Sequence, residues 1–163
     1  MTPPPAKKAK LPTCRIRKAT VGDVPKIREL IGVYASQGLM LPRSLNDIYE
    51  SLRDYWVCEK ENEIVGCAAL HVDWEDLAEI RSLAVTQKYQ SRGIGRRLLK
   101  RCIREARQLG ITRIFALTYV PAFFERNGFQ LYSKDKLPRK IWSECIRCHK
   151  FPDCDESAVV LEQ

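Results

Sequence analysis

The residues with the clearest chemical content lie between Glu79 and Arg97. Glu79-Ile80-Arg81-Ser82-Leu83-Ala84-Val85 has the apolar weight of a buried strand. It leads to Gln90-Ser91-Arg92-Gly93-Ile94-Gly95, which opens directly into a helix. A strand, a glycine-containing loop and a helix start, in that order, let successive backbone N–H groups converge on an anion. Gly93 and Gly95 let the backbone approach a diphosphate closely. Arg92, Arg96 and Arg97 add positive charge at the same helix start. The chemistry implied is a phosphate cradle. The plainer alternative is an ordinary strand-to-helix turn with surface arginines. A P-loop is excluded because no Gly-Lys-Ser/Thr follows. The Gly-x-Gly-x-x-Gly dinucleotide fingerprint is excluded because Leu98 stands where its third glycine would be.

A second group of reactive side chains lies near the C-terminus. Cys145, Cys148 and Cys154, with His149, have a metal-like composition. Three thiolates and an imidazole would satisfy tetrahedral zinc. The spacing argues against it, because the Cys-x2-Cys pair occurs once and His149 directly follows Cys148. No metal is therefore expected, and a packed segment of free thiols is the preferred reading over a structural zinc. The other four cysteines, Cys14, Cys58, Cys67 and Cys102, are scattered and read as small apolar core residues.

The elements that must position these residues follow from periodicity. Cys14 to Lys18 reads as a strand. Thr20 and Asp23 resemble a capping box ahead of a helix from about Val24 to Ser36, with Ile27, Leu30, Ile31 and Tyr34 on one face. Gly38 ends that helix, and Ser44 caps a second one carrying Ile48, Leu52 and Tyr55. Trp56–Glu59 and Ile64–His71 form a hairpin around a turn at Lys60 to Glu63. The strand over Ala78 to Val85 and the cradle lead to a helix with Leu98, Leu99, Cys102, Ile103 and Ala106 on one stripe. Arg113–Leu117, a short helix over Pro121 to Asn127, Phe129–Ser133 and Ala158–Leu161 complete the order β-α-α-β-β-β-α-β-α-β-β. Mixed elements of this kind make an α/β or α+β layered domain.

Length and charge bound the rest. A chain of 163 residues has room for one domain and can bury a core without disulfides. No apolar run approaches the ~20 residues of a membrane span. The net charge of +8 is concentrated at one end. Six basic residues lie in the first 18 positions with no acid among them, and the remainder carries 22 basic against 20 acidic residues. Residues 1–12 therefore read as a flexible basic tail and 13–163 as the folded domain. Nucleic acid is not an expected partner of so balanced a body. Without the apolar stretch of a secretory signal, the expected compartment is the cytoplasm.

The motifs narrow the class further. Gln90-x-x-Gly93-x-Gly95 after its strand resembles the acetyl-CoA motif of the GNAT superfamily. So does Ala122-Phe123-Phe124-Glu125-Arg126-Asn127-Gly128-Phe129, and the element order is similar from about Cys14 to Leu161. Three stretches resemble the acetyltransferase domain of the N-acetylglutamate synthase family: Gln37 to Ser44, Ile64 to Leu70, and Leu117-Thr118-Tyr119 leading into Phe123-Phe124. The segment 137–156 is similar to that of the short, stand-alone bacterial form. The larger synthases carry an additional arginine-sensing domain, for which this length leaves no room.

The resemblance implies a mixed, mainly antiparallel sheet flanked by helices. It implies acetyl-CoA as cosubstrate and an amino-acid α-amine as acceptor, foremost glutamate, with glutamine or another amine as the alternative. A homodimer is left open. A non-catalytic CoA- or nucleic-acid-binding module is the rival reading. By the same resemblance, Leu83, Ala84, Val85, Gln90, Ser91, Arg92, Gly93, Ile94, Gly95, Arg96 and Phe124 contact the cosubstrate. Glu79 is the candidate general base, against a surface carboxylate at a strand start. Many relatives carry a tyrosine proton donor where this chain has Phe124, so Tyr119 is the substitute acid, unless the thiolate leaves unprotonated. Arg43 matches a substrate-carboxylate ligand, and Arg81 could hold a second carboxylate. Pairing of these arginines with Asp47 or Asp73 is the alternative.

Overall fold

The computed structural model describes residues 13–138, 145 and 153–163. Among these, the elements run β1 (Arg15–Lys18), α1 (Val24–Ala35), α2 (Leu45–Glu50), β2 (Tyr55–Lys60), β3 (Glu63–Trp74), β4 (Leu77–Val85), α3 (Ile94–Gln108), β5 (Arg113–Thr118), α4 (Pro121–Glu125), β6 (Gln130–Tyr132) and β7 (Ser157–Glu162). This is the order that periodicity predicts. The strands form one seven-stranded sheet in the order β1-β2-β3-β4-β5-β7-β6. Only β4 and β5 run parallel, because α3 crosses between them.

Local chemistry sets the element ends. Ser44 Oγ accepts from the Asp47 N–H at 3.1 Å, and Asp47 Oδ2 accepts from the Ser44 N–H at 2.9 Å, a reciprocal cap on α2. Asp23 Oδ2 accepts from the Thr20 N–H at 2.8 Å just ahead of α1. Arg17 of β1 donates to Asp23 at 2.6 and 3.0 Å and to Glu59 of β2 at 2.7 Å. One guanidinium thus ties the start of α1 to two strands. The β2–β3 hairpin turns on Glu61 and Asn62, both with positive φ. That is the twist a two-residue hairpin loop needs, so the turn is tighter than the four-residue run suggests.

Helices cover both sheet faces. On one, α3 and α4 pack over Ala68, Leu70, Ala78 and Ile80. On the other, α1 and α2 pack over Tyr55, Val57, Cys67, Ala69 and Ala84. Gly66 is a close approach between sheet and α3. A Cβ there would lie 3.0 Å from Leu98 Cδ1 and 3.2 Å from Ile94 Cγ2.

The scattered cysteines are core residues, but two of them are not thiols. Cys67 and Cys102 are buried and free, and burial pushes the Cys67 thiol up to about 12. Cys14 and Cys58 are also buried, but they are joined as a disulfide with Cα atoms 5.9 Å apart. Antiparallel pairing of β1 with β2 brings them together across 44 residues of sequence, a contact that spacing does not reveal. The tail at 1–12 lies outside the described residues, as does much of 137–156.

These contacts set two expectations for stability. Gly66→Ala forces the α3 side chains to shift and should cost about 1–3 kcal/mol in urea unfolding. The Arg17 guanidinium holds the Asp23 carboxyl below its ordinary value of 3.8. A depressed carboxyl stabilises fully above that ordinary value, and the contribution is lost as pH falls through the lowered one. Asp23→Asn should therefore lower the melting temperature at pH 7, with the difference from wild type shrinking below about pH 4.

Candidate active site

The site is opened by an irregularity in β4. Cys67 pairs with Ala84 and Ala69 with Arg81, so one residue of β3 opposes two of β4, Ser82 and Leu83. This is a β-bulge, and Ser82 sits in it at φ 52°. A one-residue slip exchanges sheet faces. Arg81, opposite Ala69, and Ala84 consequently both address the α1/α2 side. The bulge takes the Ser82-Leu83 backbone out of the regular ladder, and the Cys67 thiol donates to Ser82 O at 3.3 Å. Beyond Glu79 the parallel pairing with β5 stops: its register covers only Leu77, Ala78 and Glu79. The two strands part there, and a cleft of about 880 Å³ lies in the opening.

The cleft brings together most of the residues named from the sequence and its family resemblance. Arg43, Glu79, Arg81, Leu83, Ala84, Val85, Gln90, Tyr119 and Phe124 all line it. Ser91, Arg92, Gly93, Ile94, Gly95 and Arg96 do not. They continue from Gln90 past its edge, where Gly93, at φ 85°, precedes α3 as its N-cap. Ser91 at φ 59° and Gly93 are both left-handed, and such turns aim successive N–H groups into one concavity. Arg92 and Arg96 belong to the same loop and helix start, whereas Arg97 turns away and donates to the Cys14 carbonyl at 2.9 Å.

The charged side chains divide into two sets. Arg81 Nε donates to Glu79 Oε2 at 2.6 Å, and its Nη2 lies 3.9 Å from Asp73 Oδ1. All three side chains are nearly enclosed, with 11–13% of each exposed. Arg81 is therefore engaged by two carboxylates of the sheet, one of them the Asp73 that the alternative reading names. Arg43 differs. It is half-buried at the cleft, and among the described residues no carboxylate lies within ion-pair distance of it. Asp47 is committed instead to the Ser44 cap, whose hydrogen bonds hold its carboxyl below the usual range.

Two aromatic residues refine the picture. Tyr119 donates to Asp155 Oδ1 at 2.5 Å, so its proton is directed at a carboxylate. Phe124 is buried, with its ring edge-on to Phe123 and to Phe129 at centroid distances of 5.3 and 5.2 Å. It can shape an apolar wall but not transfer a proton.

Sequence reasoning missed two further groups. Tyr34 reads by period as a core position of α1, yet its hydroxyl donates to Val85 O and accepts from Gln90 Nε2 at 2.7 Å. The polar end of a tyrosine on an apolar stripe is the signal that could have marked it. The second is the pair His71 and Asp54, whose Nδ1 and Oδ2 are 2.7 Å apart beside Glu79. Among the described residues no cluster of metal ligands occurs. Cys148 and His149, two of the four groups in the zinc alternative, lie outside the described residues.

A model of the acetyltransferase (GNAT) family matches residues 27–129. The chain belongs to that family. It is 38% identical over 148 residues to an uncharacterised N-acetyltransferase of Chlorobaculum tepidum, covering 91% of this chain and 95% of the relative. It is 36% identical over 141 residues to an amino-acid acetyltransferase of Mycobacterium tuberculosis, covering 83% and 80%. The fold is similar to that of N-acetylglutamate synthase from Neisseria gonorrhoeae, solved with coenzyme A and N-acetyl-glutamate. That match has a TM-score of 0.84 at 33% identity and covers 94% of this chain but 36% of the synthase. This chain thus spans about a third of that protein's length. No helix among the described residues is long and apolar enough to cross a membrane.

The loop geometry makes a prediction. A side chain at Gly93 must take up a left-handed conformation that costs about 1–2 kcal/mol for a non-glycine residue. Gly93→Val should raise the KM for acetyl-CoA about tenfold or more and leave the KM for the amine within about twofold, in a thiol-release assay.

Proposed function

We propose that this protein transfers the acetyl group of acetyl-CoA to the α-amine of a free amino acid, glutamate foremost. The observation that carries the reading is Arg43. A half-buried guanidinium at the cleft, without a carboxylate partner among the described residues, is a ready ligand for a substrate carboxylate. The name of the mycobacterial relative and the ligands of the gonococcal synthase support the same class of substrate. Glutamate is put ahead of glutamine because the gonococcal synthase of similar fold was solved with N-acetyl-glutamate.

The reaction is direct attack. The ammonium gives a proton to Glu79, directly or through water, and the freed lone pair adds to the thioester carbon. Backbone N–H groups at the Ser82-Leu83 bulge stabilise the resulting oxyanion. The C–S bond then breaks, CoA leaves as its thiolate, and the nitrogen's remaining extra proton passes to that thiolate through solvent, leaving the neutral amide and CoA thiol. A thiol has an ordinary pKa of about 8.5, so this group departs without a strong acid. Tyr119, whose proton is directed at Asp155, orients the acceptor wall of the cleft and does not donate in the step. The cradle from Gln90 to Arg96 holds the diphosphate.

Release of free thiol from acetyl-CoA, measured against the twenty amino acids and a lysine-rich peptide, tests the reading. Glutamate should be the best acceptor. Arg43→Ala should raise its KM by about 10–100-fold, the worth of a charge-assisted hydrogen bond. Glu79→Gln should lower kcat by about 100-fold or more, and Tyr119→Phe by less than about tenfold. Activity with the peptide alone overturns the substrate assignment. Binding of acetyl-CoA with no release to any amine overturns the enzyme reading in favour of a binding module.

A further inference from the structure

His71 stands directly opposite Glu79 in the antiparallel register of β3 and β4. Opposed residues on one face have Cβ atoms about 4.5–5.5 Å apart. The two side chains differ in where they lead. Glu79 lines the cleft and is 12% exposed. His71 and Asp54 do not line it, and their side chains are 35% and 26% exposed. A path from Glu79 to His71 therefore runs from the enclosed site towards solvent. Asp54, in the turn ahead of β2, fixes the imidazole. A carboxylate only accepts, so the hydrogen bond between Nδ1 and Asp54 Oδ2 at 2.7 Å places the neutral ring's proton on Nδ1. Nε2 is then the basic nitrogen.

We propose that the His71–Asp54 pair is the proton exit of the site, receiving at Nε2 the proton that Glu79 removes from the amine. The inference rests on Glu79 being the base. In each cycle the ammonium N–H bond breaks and the Glu79 carboxylate takes the proton. The carboxyl passes it to Nε2, directly or through one water, and forms an imidazolium paired with Asp54. The imidazolium releases it to solvent, and both groups return to their starting states. No oxidation or reduction is involved. The exit matters because the Glu79 carboxylate is otherwise held by Arg81 inside the sheet.

The charged groups that face His71 are Asp54 from the turn before β2, Asp73 on its own strand, and Glu79 and Arg81 on β4. The hydrogen bond to Asp54 raises the imidazole above its ordinary 6.5, with a smaller contribution from Asp73, while burial and Arg81 act the other way. A relay must be neutral to accept a proton. So kcat should fall as pH drops through the raised value, and removal of Asp54 should move that limb to lower pH.

The test measures kcat against pH for wild type, Asp54→Asn, His71→Gln and His71→Ala, with melting temperatures to confirm folding. His71→Ala should lose about tenfold or more in kcat at low buffer strength. Added imidazole should restore it in proportion to the neutral form, with the KM for acetyl-CoA within about twofold of wild type. His71→Gln should lose the acid limb, and Asp54→Asn should shift it downward. An unchanged kcat in folded His71→Ala or His71→Gln overturns the relay, as does a loss that imidazole does not rescue. Glu79→Gln with undiminished kcat overturns the base assignment instead, whatever the His71 variants do.

Discussion

The cleft depends on the parting of β4 from β5, and the parting depends on one extra residue in β4. Strand pairing is cooperative along a ladder, so two parallel strands would ordinarily stay joined to their ends. Here β4 is bulged at Ser82-Leu83, where the chain bends and twists more strongly. Its parallel register with β5 ends at Glu79. Three properties of the site follow from that break. An opening exists between adjacent strands, Arg81 and Ala84 share a face, and the Ser82-Leu83 backbone is left outside the ladder. The left-handed φ of Ser82 is strain that the flanking pairs with Cys67 and Ala69 overcome.

The same opening has a polar anchor on each side. On the α1 side, Tyr34 ties the helix to the end of β4 through Val85 O, and Gln90 joins the contact from the start of the cradle. The backbone carbonyl of Tyr34 also accepts from the N–H groups of Gln37 and Leu39, which start the loop towards Arg43. One residue therefore connects the segment that carries Arg43 to the end of β4 and the start of the Gln90 loop. On the sheet side, Asp73, Glu79 and Arg81 form a nearly enclosed charge cluster. Removing such charges from water is costly unless they are paired. Their pairing keeps the group fixed in place, with His71 and Asp54 at its solvent edge.

Much of the fold is legible in the amino-acid sequence. The order of eleven helices and strands follows from periodicity and from turn residues. Ser44 with Asp47, and Thr20 with Asp23, mark helix starts by residue type alone. The turn at Gly93 ahead of α3 is equally readable, because a glycine-bearing loop before an amphipathic helix is a local pattern. Boundaries differ by a few residues where strands extend through pairing, as in β3, which reaches Trp74.

What stays hidden is non-local. The sequence by itself determined which elements form, where a glycine-bearing turn precedes a helix, and which charged and aromatic side chains were candidates for the site, because those features depend on neighbours within a few residues or on short motifs. Only the tertiary structure decided that Arg81 pairs with Glu79 and Asp73 while Arg43 pairs with no carboxylate among the described residues. It also decided that Cys14 meets Cys58, that Tyr34 reaches Val85, and that His71 opposes Glu79. Each of these depends on strand register or on a helix docking across the sheet. Register is set by the sum of many pairings and by a single bulge, which no short window of sequence contains.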